Sequence, residues 1–160
     1  MKHYSHKSNL SIFLIAIAII LFYPNSSSAL FESKGQITIA TIDGKLQNFN
    51  VEFARSESEK VTGLMFREHL SDDEGMLFMW DTSSLRQFWM KNTLINLDIL
   101  FIDSDHRVVH IEESAKKGSL RIISSILPVQ YVLEINAGQS QLRKITTGAL
   151  LSEKNLPSCC

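Results

Sequence analysis

Along residues 36–151, apolar side chains recur at every second position in short runs broken by polar clusters, the pattern of strands that bury one face. Ile37 and Ile39 alternate with polar or small neighbours from Gln36 to Ile42, and Asp43-Gly44 supplies a hairpin turn before a second strand from Leu46 to Ala54. Ser56 followed three residues later by Glu59 is a capping-box signature, so a short helix is expected over Glu57 to Phe66. Ser71 to Gly75 reads as a turn. Met76 to Trp80 and Gln87 to Lys91 read as aromatic-rich strands separated by the polar stretch Asp81 to Ser84. The clearest element is a hairpin, Leu97 to Ile102, turn Asp103 to His106, return Arg107 to Ile111. Its first strand is apolar on both pleat faces, which predicts a strand covered on two sides. Gln130 to Ile135 is a late strand, and a helical turn is expected from Ala137 to Lys144. The expected fold is mainly β of the α+β type: a compact, mostly antiparallel barrel or sandwich with one or two short helices.

The first 29 residues break this pattern. Lys2 and Lys7 precede an uncharged apolar run from Leu10 to Tyr23, and Pro24 to Ala29 adds a breaker and small residues, the order of a secretory signal peptide. The run is shorter than the roughly 20 residues a spanning helix requires, which makes a retained anchor the secondary reading. The expected organisation is a signal over residues 1–29, one β-rich domain over 30–155 and a tail over 156–160, placing the protein in the periplasm or outside the cell. Contact with a membrane is expected only through an uncleaved signal. Cys159 and Cys160, adjacent at the end of the chain, cannot staple a core. With 16 Lys+Arg against 17 Asp+Glu and a formal charge of -1, the chain lacks the surplus of positive charge that nucleic acid selects.

Four blocks stand in order: Val51 to Ala54 with Gly63 to Arg67; Gly75 to Phe78; Phe88 to Thr93 running into Leu97 to Asp103; and Val132 to Gly138. Together they resemble the domain of unknown function 192 family over about residues 36 to 151. The resemblance implies a compact, mostly β domain, often exported from bacteria, with no assigned activity. Asn96 stands where the family pattern leads one to expect proline, and His106 takes a turn position suited to glycine.

Within those blocks lie the residues able to support chemistry. Glu52, Asp98 and Glu134 interrupt apolar strands, where a charge must be paired or solvated. Two converging carboxylates could divide acid and base roles between them, which makes the three the catalytic candidates; alternatively they are half-exposed or structurally paired. Arg67, Trp89, Lys91 and Asn92 are the ligand-binding candidates. Trp89 offers a stacking plane or core filler, Lys91 a cation, and Asn92 both a donor and an acceptor. A strand through this block sends Trp89, Lys91 and Thr93 to one face. Met76 and Met79, beside Trp80, are the candidates for soft Cu(I) ligation, against the ordinary reading of methionine as core filler. The leading expectation is an exported domain that binds a small molecule or peptide in a groove edged by Arg67, Lys91, Asn92, Asp98 and Glu134. The alternatives are an acid/base enzyme and a structural or interaction module. No cofactor and no oligomeric state is implied.

Overall fold

The computed structural model describes Met1 and residues 34–158. The chain divides into residues 1–30 and 31–160, and the architecture below is that of the second unit. The expected signal and the two cysteines lie outside the described residues.

Strands β1 (Lys34–Ala40) and β2 (Leu46–Ala54) form the first hairpin, with Ile37 opposite Phe49 and Lys34 opposite Glu52. Helix α1 spans Glu57–Thr62. Ser56 Oγ accepts from the Glu59 amide and the Glu59 carboxylate accepts from the Ser56 amide, so the capping box forms as expected. The helix stops four residues earlier than expected because Gly63 turns the backbone into the positive-φ region (φ 48). Strand β3 (Glu74–Ser84) then lies parallel to β2. A parallel neighbour requires a crossover, and α1 with residues 63–73 is that crossover. It is the one departure from antiparallel pairing in the sheet.

Beyond β3, β4 is only Gln87–Phe88, followed by β5 (Leu97–Ile102), β6 (Val108–Ala115), β7 (Ile123–Ser124), β8 (Val129–Asn136), helix α2 (Gln139–Leu142) and β9 (Leu150–Leu151). Seven of these strands make one curled sheet in the order β6-β5-β8-β3-β2-β1-β9. The short β9 pairs with β1 through Ile39–Leu151, and Leu150 bridges to Arg107 just before β6. Amides of Val108 and Leu151 donate to the carbonyls of Ala149 and His106. The segment 148–151 therefore closes the sheet toward a barrel and removes its edges at that end. His106, at the turn of the β5–β6 hairpin, adopts φ 62 and stacks on Tyr131; His110 stacks on Phe101. Both rings are half-buried, not surface groups.

The sheet is packed on both sides. Its concave side holds Ile37, Phe49, Leu77, Leu100, Leu133 and Leu151 among others. Its convex side at β3, β5 and β8 holds Met76, Phe78, Ile99, Phe101 and Val132, covered by Leu64, Leu70, Met90 and Ile123. All six residues of β5 are buried, as its two-sided apolar pattern predicts. The cover over the convex side consists of the crossover segment 63–73 and the small β4–β7 sheet, in which Phe88 opposes Ile123.

Candidate functional site

Strand alternation sends Glu52, Glu74 and Met76 to the convex side of the sheet, while Val51, Phe53 and Leu77 fill its interior. Register then places Lys34 opposite Glu52, Glu52 beside Met76, Met76 opposite Glu134, and Glu134 opposite Ile99. Glu52 and Glu134 thus share one face two strands apart. The crossover segment overhangs this face. Asn136 Nδ2 donates to the Leu70 carbonyl at 2.6 Å, and Arg143 Nη2 donates to the Asp72 carbonyl at 2.8 Å, holding the overhang in place.

From the overhang, Arg67 reaches Glu52. Its Nη2 donates to both Glu52 oxygens at 2.9 and 3.0 Å, and Lys34 Nζ lies 3.4 Å from Oε1. The pair is roughly one-third exposed, with side-chain exposures of 34% and 29%, so it faces a cleft instead of being sealed in the core. Two adjoining hollows meet here. One, of about 250 Å³, is lined by Lys34, Glu52, Arg67, Leu70, Glu74 and Gly75. The other, of about 450 Å³, shares Lys34, Glu52 and Arg67 and adds Phe53, Met65 and Met76. Nε and Nη1 of Arg67 have no hydrogen-bond partner among the described residues. Glu74 accepts the Ser71 amide at 3.0 Å. That bond, with further help from the Ser71 side chain and the charges of Arg67 and Lys34, lowers the Glu74 pKa and keeps its carboxylate ionised. Gly75 has to be glycine, since a Cβ would stand 2.6 Å from the Glu134 carbonyl oxygen across the strand pair.

Glu134 is a different kind of carboxylate. It is 5% exposed, no described residue makes a hydrogen bond to it, its carboxyl oxygens keep slight contact with solvent, and burial pushes its pKa up to about 8. At neutral pH it is mostly protonated.

The remaining sequence candidates separate. Asp98 is completely buried and points to the concave side, opposite in direction to Glu134. Its Oδ1 accepts the Ser114 amide at 2.9 Å, and its Oδ2 accepts the Ser140 amide and hydroxyl at 2.9 and 2.7 Å. An Asp98–Glu134 carboxylate pair is therefore not formed; Asp98 ties β6 and α2 to β5. Met76 lies on the convex side and Met79 on the concave side, so these methionines cannot share a Cu(I) ion. The strand expected through Lys91 ends at Phe88, and residues 90–93 form a turn in which the Thr93 amide donates to the Met90 carbonyl. Asn92 adopts φ 58 there, a conformation Asn tolerates. Its carbonyl accepts the Phe66 amide, one residue from Arg67. Asn92 thus supports the overhang that carries Arg67. Lys91 turns away and stands 5.0 Å over the Trp89 ring. Trp89 is 43% exposed and is not core. Lys34, Glu74 and Gly75 escaped sequence reasoning. The β1–β2 register would have revealed Lys34, but the parallel register that brings Glu74 alongside follows from no local pattern.

Residues 38–152 match the family described as Uncharacterized ACR, DUF192. The chain belongs to the DUF192 family. Solved structures resemble it, two bacterial proteins among them. One is a candidate transcription regulator from Sinorhizobium meliloti 1021, with 39% identity and a TM-score of 0.73 over 74% of this chain and 92% of that one. The other is a protein of unknown function from Novosphingobium aromaticivorans DSM 12444, with 35% identity and a TM-score of 0.72 over 74% and 84% of the two chains. No curated protein matches. Every block that carried the resemblance in sequence has a place in this DUF192 fold: two line the cleft, one forms the turn and β5, and one forms β8 and the start of the loop to α2.

Proposed function

We propose that this DUF192 domain acts outside the cytoplasm and binds a small zwitterion or a peptide end in the cleft between β2, β3 and the crossover overhang. The pattern of residues 1–29 supports export. The observation that carries the binding reading is Arg67. One terminal nitrogen is fixed by Glu52, which orients the guanidinium, while its other donors keep free valence beside two hollows. Lys34 adds a second cation, and Glu74 contributes an ionised carboxylate to the same lining. A ligand carboxylate matches the Arg67–Lys34 side, and an ammonium matches Glu74. The apolar floor of Leu70 and Met76 suits a short side chain.

The test is a thermal-shift panel of free amino acids, dipeptides and small carboxylic acids on the wild-type protein and Arg67→Ala. A binder stabilises the native state by mass action, and at least tenfold weaker binding is expected in a folded Arg67→Ala variant. A panel without any shift, or a shift untouched by the substitution, overturns the reading.

A second reading rests on Glu134. A buried carboxyl whose pKa is raised lies on the same face as Glu52, and two carboxyl groups in such unlike surroundings are what an acid/base pair requires. If it acts, turnover of a cleft ligand disappears in Glu134→Gln while binding persists.

A further inference from the structure

The small β4–β7 sheet covers the convex side of the main sheet with Phe88 and Ile123 turned inward. Alternation turns their neighbours Trp89 and Ile122 outward, where they are 43% and 53% exposed. Leu120, Ile126 and Leu127 flank them at 67%, 66% and 51% exposure. Backbone hydrogen bonds draw this lobe together: the Met90 amide donates to the Ser119 carbonyl, the Gly118 amide to Met90 and Thr93, and the Ser125 amide to the Arg86 carbonyl. The same bonds bring the loop holding Lys116 and Lys117 against the turn holding Lys91. All three lysines are exposed, and none has an ion pair among the described residues. Arg121 on the same loop is already neutralised by Glu112. Ile126 holds φ 65, which a β-branched residue rarely adopts, and the bonds around Ser125 keep it there.

We propose that this lobe is a docking surface for an anionic lipid membrane. A protein surface seldom gathers large apolar tips without a use for them. What selects a membrane over another occupant is the combination present here: an amphipathic indole and branched aliphatic tips at the crest, bordered by unpaired lysines whose long stems let the ammonium reach a headgroup. Such a surface rests its apolar tips at the headgroup boundary while Lys91, Lys116 and Lys117 meet lipid phosphates. The proposal is independent of the cleft reading, because the lobe and the Arg67 cleft share no lining residue.

Full-length protein carrying Trp80→Phe leaves Trp89 as the one tryptophan, a reporter of this lobe alone. Added vesicles of phosphatidylglycerol and phosphatidylcholine should shift its emission to the blue, and brominated acyl chains should quench it; pure phosphatidylcholine should do so far more weakly, and high salt should reverse the effect. Substituting Lys91, Lys116 and Lys117 by Gln should weaken this signal about fivefold per lysine and about a hundredfold together. Trp89 emission unchanged by anionic vesicles overturns the proposal, including where the chain sediments with them through its N-terminal apolar run. A blue shift that grows with protein concentration before any lipid is added also overturns it, since the lobe is then covered by a second copy of the chain.

Discussion

Burial of the Glu134 carboxyl beside Met76 and Ile99, with no hydrogen-bond partner among the described residues, makes the protein's stability depend on pH through this residue. Its pKa rises from 4.5 to about 8 on folding. Between those values the unfolded chain gives up the proton and the folded chain keeps it, so stability is complete below pH 4.5 and is lost as pH rises toward 8. The full span is on the order of 5 kcal/mol. Thermal melts between pH 4.5 and 8.5 should show Tm falling across that window in the wild type and nearly flat in Glu134→Gln, which keeps the shape and discards the proton. Equal slopes in the two proteins would mean that Glu134 gains a partner or water in solution. The sequence showed a Glu inside an apolar strand, as it did for Asp98, but not that one carboxylate would accept three hydrogen bonds and the other none. That difference comes from which face each residue occupies, and facing depends on register.

At the scale of elements, local chemistry was decisive where a signal sat within a few residues. The Ser56–Glu59 box started α1, Asp43-Gly44 turned the first hairpin, and the two-sided apolar run of β5 was buried throughout. Replacing Ser56 with Ala should cost about 1 kcal/mol, read from the urea midpoint. Local chemistry failed for β4, because an aromatic-rich run looks alike whether it pairs along its length or packs as a loop against a sheet. Gly75 is an element-scale constraint of a different kind. A methyl there meets the Glu134 carbonyl oxygen at 2.6 Å, and backbone cannot swing aside. Gly75→Ala should part β3 from β8 and cost about 1–3 kcal/mol as overpacking. A urea midpoint equal to wild type would show that the strands separate there freely.

On the scale of the whole molecule, the seam formed by segment 148–151 with residues 106–108 and β1 decides whether the sheet is an open blanket or a nearly closed barrel. Leu151 is 2% exposed inside it. Leu151→Ala should cost about 2–5 kcal/mol, and hydrogen exchange should show the Val108 and Leu151 amides losing protection together. Loss confined to Leu151 would indicate that the seam is not one cooperative unit.

Taken alone, the sequence determined that the chain is mostly β, where its hairpins turn, and which blocks hold polar groups among apolar ones, because these follow from periodicity and from chemistry between near neighbours; its likeness to the DUF192 family rests instead on four blocks standing in order. Only the tertiary structure decided that Lys34, Glu52, Arg67 and Glu74 meet at one cleft, that Asp98 and Glu134 look in opposite directions, and that Met76 and Met79 are separated by the sheet. The physical reason is the period of two in a strand. A one-residue choice of register exchanges the inner and outer faces, and that choice is made by partners distant in the chain: the parallel β2–β3 pairing, the crossover laid over it and the closing seam.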